Sequence, residues 1–168
     1  MTETHAAHSI HKEIVVEERI VSQLVAGQGY LERAPDAYDR SSALDRDLVL
    51  NFVKTTQPDA WAALEAQYSS SAEAEFFKRL EQALSARGTL EVLREGIKLV
   101  PNIHFALCFF RPASGLNDEL LRGYRANILS VMRQVRYSAK NENAIDIVLF
   151  VNGLAVATLE VKNTLTGQ

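Results

Sequence analysis

The chain has 168 residues, of which 47% are hydrophobic and 23% charged, and its 18 Lys and Arg against 21 Asp and Glu give a formal net charge of -3. These values are typical of one soluble globular domain. The longest apolar stretches, Ile103 to Phe110 and Ile145 to Val151, are far shorter than the roughly 20 residues of a membrane-spanning helix. The first residues lack a secretory signal, and a single cysteine, Cys108, excludes an internal disulfide framework. We therefore expect a cytoplasmic protein with no membrane partner.

Five helices are predicted in the first hundred residues. Apolar side chains recur there at helical spacing, as Leu44, Leu48 and Phe52 do in the second helix. Pro58 suits the first turn of the third helix, and Gly88 suits the end of the fourth. The predicted helices cover residues 13–26, residues 42–55, a stretch from Pro58 through Tyr68, a stretch from a serine cap at 69–71 to Arg87, and residues 89–95.

After Pro101, the side-chain pattern changes from the helical period to the period of two that is typical of strands. Among residues 103–110, the even-numbered and the odd-numbered positions are both largely apolar, which predicts a strand buried on two faces. Asn117 can cap a short helix that runs through Tyr124, and three further strands are predicted at residues 128–137, 143–151 and 154–162. The last two flank Asn152 and Gly153, a strong hairpin signal.

The order of these elements predicts an α/β (α+β) fold. N-terminal helices, residues 1–100, are followed by a mixed β-sheet, residues 101–168, within a single domain. The C-terminal hairpin of that sheet is expected to carry the active site.

Three charged side chains interrupt the two hairpin strands, which are otherwise largely apolar. Asp146 lies among aliphatic residues, while Glu160 and Lys162 lie two residues apart, so that the pleat points both to one face. A buried carboxylate is costly unless it is paired or binds a metal. Either Lys162 merely satisfies these carboxylates, or the three groups form a functional site.

The functional interpretation requires Asp146 to share a face with Glu160. A regular two-residue turn would place Asp146 opposite residue 159, and thus on the other face from Glu160. A three-residue loop, 151–153, with Gly153 as a left-handed bulge would bring both carboxylates and Lys162 onto one face. We therefore predict this bulged loop, or an equivalent bulge elsewhere in the hairpin.

Two carboxylates on one face offer hard oxygen ligands to Mg²⁺ and leave room for waters and a phosphate oxygen. Such an ion polarises a phosphodiester and lowers the pKa of a bound water, while Lys162 orients that water or offsets developing negative charge. The chemistry predicted for Asp146, Glu160 and Lys162 is therefore Mg²⁺-assisted hydrolysis of a phosphodiester.

The spacing of Asp146 and the Glu160-Val161-Lys162 tripeptide resembles the PD-(D/E)xK nuclease motif, with Ile145 where proline often stands. The surrounding sequence is more specific: RQVRYS (133–138), NENAIDIVLFVNGL (141–154) and TLEVKN (158–163). Together they closely resemble the N-terminal nuclease region of the restriction (R) subunit of type I restriction-modification enzymes. Features of the first helices also match, so the resemblance covers essentially the whole chain.

The resemblance implies Asp146 and Glu160 as Mg²⁺ ligands and Lys162 as the catalytic lysine. An acidic residue of the first helix sometimes joins such sites, and Glu18 is the candidate, with Glu17 next. Implied partners are double-stranded DNA and the methyltransferase and specificity subunits of the type I complex.

Members of the family continue after this strand into a helix, a further strand and ATP-driven motor domains. No ATP site is predicted for this chain. We expect a fragment truncated at its C-terminal end, weakly active or inactive alone and prone to self-association.

Two other functions remain open for the residues of the hairpin. In the first, the chain is a non-catalytic assembly module that docks the R subunit on its methyltransferase partners, and Asp146, Glu160 and Lys162 are structural. In the second, it is another nuclease of the superfamily that repairs DNA or cleaves junctions.

A local basic excess lies beneath the overall negative charge. Residues 111–140 contain six basic and two acidic side chains, a net charge of +4 that leads directly into the strand of Asp146. DNA phosphates would have to approach there, so this segment is predicted to line the substrate groove. The candidate DNA-binding residues are Arg125, Arg133, Arg136 and Lys140.

Overall fold

The computed structural model describes residues 2–99, 102–113, 117–138 and 143–162, with side chains from residue 13 onward. Its helices are α1 (Thr2–Gln28), α2 (Arg46–Thr56), α3 (Pro58–Tyr68), α4 (Ala72–Arg87), α5 (Thr89–Glu95) and α6 (Asp118–Arg125). Its strands are β1 (Leu31–Arg33), β2 (Ile97–Leu99), β3 (Ile103–Phe105), β4 (Leu129–Arg136), β5 (Ala144–Val151) and β6 (Leu154–Leu159). No helix in the described part of the chain is both long and apolar enough to cross a membrane.

Helices α2 to α5 enclose the largest hydrophobic core, together with the small antiparallel sheet of β2 and β3. Asp45 caps α2, because its side chain accepts a hydrogen bond from the backbone N–H of Leu48 at 3.2 Å. Trp61, Phe76 and Phe105 pack edge to face at the centre of this core. The apolar residues whose spacing predicted these helices thus form the face that each helix buries.

A four-stranded mixed sheet forms the second part of the fold, in the order β1-β4-β5-β6. β1 runs parallel to β4, whereas β4, β5 and β6 are antiparallel to their neighbours. Helices and a mixed sheet with a C-terminal hairpin confirm the predicted α+β fold class. β1 comes from the helical half of the chain, so the sheet combines strands from both halves.

Helix α1 covers one face of this sheet. Val21 of α1 packs with Val131 of β4 and Ile147 of β5. On the opposite face, a second cluster contains Met132, Val148 and Phe150, with Tyr38 packed against it.

The hairpin turn differs from the bulged loop that we expected. Val151 pairs with Leu154, and Asn152 and Gly153 form a two-residue turn with φ values of +51° and +83°. The three-residue loop is therefore wrong. The alternative, a bulge elsewhere in the hairpin, is confirmed: Phe150 pairs with Ala155 and Leu149 with Ala157, which leaves Val156 as the extra residue.

Contacts around the turn explain why it stays tight. Asn152 is fully buried, accepts a hydrogen bond from the N–H of Ile128 at 2.7 Å and donates one to the carbonyl of Leu107 at 2.8 Å. The carbonyl of Gly153 accepts from the N–H of Asp45 at 2.9 Å. A larger loop would lose these contacts to α2 and to the segment after β3, so the extra residue is placed in β6 instead.

The prediction of one long strand over residues 103–110 is wrong beyond Phe105. Side-chain amides form the hydrogen bonds to the backbone that a neighbouring strand would otherwise form. Gln57 accepts from the N–H of Ala106 at 2.7 Å and donates to its carbonyl at 3.0 Å. Asn127 does the same for Phe109, at 3.1 and 2.6 Å. The segment therefore stays partly buried without joining a sheet.

Other boundaries also differ from the sequence predictions. β1 and β2 have three residues each and were not predicted. α2 begins at Arg46, because residues 39–44 form a turn stabilised by Asp39, which accepts hydrogen bonds from Ser41 and Ser42. β6 ends at Leu159, before the acidic residue that was expected within it.

Candidate functional site

Asp146 lies in β5, where its carboxylate is held by two hydrogen bonds. One oxygen, Oδ1, accepts from the side-chain Nε2 of Gln134 at 3.3 Å. The other, Oδ2, accepts from the backbone N–H of Val161 at 2.7 Å. The second bond ties Asp146 to the segment after β6, so that the Glu160-Val161-Lys162 tripeptide lies beside the carboxylate.

Glu17 of α1 provides a second carboxylate at the same place. It is only 4% exposed, and both of its oxygens accept from Nε2 of Gln134, at 3.1 and 3.0 Å. Helix α1 directs Glu17 inward because Val21, one turn further on, packs against the sheet. One amide nitrogen thus contacts the carboxylates of both Glu17 and Asp146.

Burial raises the pKa of Glu17 above its usual value of 4.5, and the negative charge of Asp146 raises it further. The hydrogen bond from Gln134 opposes this shift by stabilising the ionised form. Burial thus outweighs the stabilisation that Gln134 gives to the ionised carboxylate.

Glu160 and Lys162 follow directly after β6. Ile147 pairs with Leu159, so the same register continued by one residue makes Glu160 the cross-strand neighbour of Asp146. Both side chains are exposed, and neither forms a hydrogen bond or ion pair with another residue that the structure describes. They remain accessible to a ligand or substrate.

Glu18, the acidic residue of α1 that the resemblance favoured, is placed differently from Glu17. Its carboxylate lies 3.5 Å from Nη1 of Arg133, while Nε of Arg133 lies 3.4 Å from a carboxylate oxygen of Glu32. Glu18 thus belongs to an exposed ion-pair group beside the site, and Glu17 is the residue that lies next to Asp146.

The candidate DNA-binding residues are spread over three elements. Arg133 and Arg136 lie in β4 on either side of Gln134 and each borders a cavity that Gln134 also lines, of about 710 and 450 Å³ respectively. Arg125 is exposed in the last turn of α6. Lys140 lies outside the described residues.

The donor chemistry of this site fits a hard divalent cation. Mg²⁺ is usually bound through one or two carboxylates, with waters and substrate phosphates completing its shell. Glu17 and Asp146 supply two carboxylates around one point, and Glu160 lies directly after the neighbouring strand β6. No three His, Cys, Asp or Glu side chains converge as a preformed metal-binding group in the described ranges. Glu17 and Asp146, with Glu160 and solvent to complete the shell, are the donor set that these residues offer.

Gln134 was missed in the sequence, and Glu17 was ranked second to Glu18. The spacing of Glu17 to Val21 and Leu24 was an available signal, because a residue on the apolar face of a helix turns toward the sheet. No comparable signal marks Gln134, whose role depends on the local backbone of β4.

Comparison with known proteins identifies the family of the chain. The family model for the type I restriction enzyme R protein N terminus matches residues 10–167. Searches of curated proteins and of solved structures gave no match. Because the family model spans nearly the entire sequence, the chain belongs to the family of type I restriction enzyme R protein N termini.

Proposed function

We propose that this chain is the nuclease portion of a type I restriction enzyme R subunit and hydrolyses phosphodiester bonds of double-stranded DNA with Mg²⁺. The hydrogen bond from the N–H of Val161 to Asp146 carries the proposal. It fixes the middle of the Glu160-Val161-Lys162 tripeptide against a carboxylate on the neighbouring strand. A buried acidic residue, Glu17, faces the same point from α1.

Asp146, Glu160 and Glu17 would hold the cation through their carboxylate oxygens. The bound ion would polarise the phosphodiester and lower the pKa of a coordinated water. Lys162 is accessible beside these carboxylates, where its ammonium orients the attacking water or offsets the negative charge that develops on the phosphate. The peptide N–H of Val161 keeps Asp146 fixed while substrate enters and leaves.

The surface beside the carboxylates supports DNA as the substrate. Gln134 lies between two cavities, one bordered by Arg33 and Arg133 and the other by Arg40 and Arg136. A backbone that follows both cavities would pass over the carboxylate site with guanidinium groups on each side. In the assembled type I complex, the methyltransferase and specificity subunits would deliver the DNA.

Cleavage of supercoiled plasmid tests the catalytic role. Asp146→Asn and Lys162→Ala are each expected to lower Mg²⁺-dependent nicking by about 100-fold or more, the usual loss when one stabiliser of a transition state is removed. Asp59→Asn, on the exposed start of α3, is the matched control and should cleave like the unmodified chain. Equal cleavage by all four proteins would assign the activity to a contaminant and contradict the proposal.

A measurement that does not depend on turnover separates the nuclease from an assembly module. Mn²⁺ is expected to broaden the amide NMR signals of residues around Asp146, Glu160 and Lys162, and to lose this effect in Asp146→Asn. If Mn²⁺ broadens none of these signals, the three residues are structural and the assembly function is favoured.

A further inference from the structure

We propose that Gln134 is a positioning residue of the carboxylate site, whose side-chain amide holds the carboxylates of Glu17 and Asp146 together in the orientation that a divalent cation requires. The identity of the cation rests on the proposed function. In this role Gln134 contacts the two carboxylates and neither the cation nor the DNA.

The hydrogen bonds of Gln134 make it the only described bridge between the two carboxylates. Its Nε2 lies 3.1 and 3.0 Å from the oxygens of Glu17 and 3.3 Å from Oδ1 of Asp146. Two negative charges repel one another strongly in a poorly solvated site. An amide N–H₂ group between them has a hydrogen for each carboxylate, so it can hold both without adding a charge.

The backbone of β4 is distorted at this residue. Gln134 has a φ of +52°, the left-handed region that residues with a side chain rarely adopt, in the middle of an otherwise extended strand. Such strain persists only where the surroundings hold it, and it is found preferentially at functional sites. The distortion therefore needs an explanation from what Gln134 contacts.

The two faces of the sheet reveal what the distortion achieves. Arg133 pairs with Glu18 of α1, yet Val135, two residues on, packs with Met132 on the face away from α1. In a regular strand, residues two apart share a face. The strand therefore turns over at Gln134.

β5 turns over at the same level. Ile147 packs with Val21 of α1, whereas Ile145 packs with the cluster on the opposite face. Gln134 and Asp146 lie between the paired residues Arg133 with Ile147 and Val135 with Ile145, and Gln134 contacts both Asp146 and Glu17. Without the turn at Gln134, alternation would place its side chain on the face opposite Arg133, away from α1 and Glu17.

Removal of the amide would let the two carboxylates move apart. Residues that orient metal ligands without binding the metal typically contribute 10–100-fold to metal affinity. Gln134→Gly keeps the positive φ available to the backbone and removes the whole side chain, amide included, so it is the informative variant. Gln134→Asn also tolerates a positive φ, but its amide is one methylene shorter.

The first experiment measures the affinity of the full chain for Mn²⁺ by water-proton relaxation. Gln134→Gly and Gln134→Asn are expected to bind Mn²⁺ about 10–100-fold more weakly than the unmodified protein, with unchanged circular dichroism. Gln23→Ala, on an exposed part of α1, should bind like the unmodified protein. Affinities of the Gln134 variants within twofold of the unmodified protein, or higher, would overturn the proposal while leaving the cation site intact.

A metal-free measurement covers the case in which the chain does not bind Mn²⁺ at all. The side-chain N–H₂ signals of Gln134 should shift in Glu17→Gln and again in Asp146→Asn. If they shift while the unmodified protein binds no Mn²⁺, the proposed function fails and the bridging role of Gln134 stands. If neither substitution moves them, the bridging role is overturned.

Discussion

Asp39 shows how a single side chain controls the start of a helix in this protein. Its carboxylate accepts hydrogen bonds from the N–H and hydroxyl of Ser41 at 2.9 and 2.7 Å, and from the hydroxyl of Ser42 at 2.8 Å. Nη1 of Arg46, the first residue of α2, lies 3.5 Å away. Together these contacts close the turn that delays α2 to Arg46 and bring its N-terminus beside the hairpin.

These contacts lower the pKa of Asp39 from 3.8 to about 2, with the hydroxyl of Ser41 as the largest cause. A carboxyl group with a lowered pKa stabilises the fold above its unfolded pKa, and this stabilisation is lost as the pH falls toward the folded pKa. We therefore expect the free energy of unfolding to fall between about pH 4 and pH 2, and to fall less steeply in Asp39→Asn. Urea unfolding across this range measures the difference, with Asp36→Asn as the exposed control. Parallel pH profiles for Asp39→Asn and the unmodified chain would contradict the assignment.

Much of the candidate site can be predicted from single residues, because charge within an apolar strand is conspicuous. Asp146, Glu160 and Lys162 stand out in this way, and the acidic α1 residues follow from the resemblance. Gln134 does not stand out, since a polar residue on a strand beside solvent is ordinary and its positive φ leaves no trace in the sequence. The site could be anticipated by its charges but not by the amide between two of them.

At the scale of secondary structure, the hairpin decides whether the acidic residues meet. Val156 is the extra residue of β6, and beyond it the pairing of Leu149 with Ala157 sets the register that leads to Asp146 and Glu160. With the same turn and no bulge, residue 159 would lie opposite Asp146. A shift of one residue moves every following side chain to the other face.

Two changes of chain length in β6 should have opposite effects. Deletion of Val156 removes the bulge and leaves Glu160 opposite Asp146, so the Mn²⁺ response should persist. Insertion of one alanine between Ala157 and Thr158 moves Glu160 out of register, and the Mn²⁺ response should be lost. Mn²⁺ broadening of NMR signals measures both, and circular dichroism checks that each variant folds. A response that survives the insertion, or is lost in the deletion, would show that register does not control the site.

The helices were more predictable than the strands for a physical reason. A helix satisfies its own backbone, and residues such as Gly88 and Asn117 mark its ends locally. Strand pairing depends on distant partners, so the three-residue strands β1 and β2 leave no clear pattern. Gln57 likewise lies 49 positions from Ala106 in the sequence, yet its side-chain amide hydrogen-bonds to the backbone of Ala106 where a strand would otherwise pair.

At the scale of the whole molecule, opposite charges are arranged around the carboxylate site. Arg133 is held near Glu18 and Glu32, and Arg136 lies beyond Gln134 on the same strand. Exposed ion pairs of this kind are weak, so a phosphate can replace a carboxylate partner at small cost. The overall charge of -3 therefore does not prevent DNA from approaching this surface.

Binding to duplex DNA at several salt concentrations tests this arrangement. Arg133→Ala combined with Arg136→Ala should weaken binding and reduce the slope of log affinity against log salt by about 2, because each phosphate contact contributes about 0.9 to that slope. Lys78→Ala combined with Arg94→Ala, on the exposed surfaces of α4 and α5, removes the same charge and should leave the slope unchanged. An equal slope for the two double variants would place the DNA elsewhere.

The parallel pairing of β1 with β4 has a consequence for how the protein is made. Leu31 pairs with Ser130, so about 100 residues must emerge from the ribosome between the two strands. Closing a loop of that length costs about 4 kcal/mol of chain entropy by the logarithmic scaling of loop closure. The helical core around Phe76 can assemble earlier from local contacts. We therefore expect the meeting of Glu17 with Gln134 and Asp146 to come late in synthesis, so that nascent chains carry no completed carboxylate site while their helices are already folded.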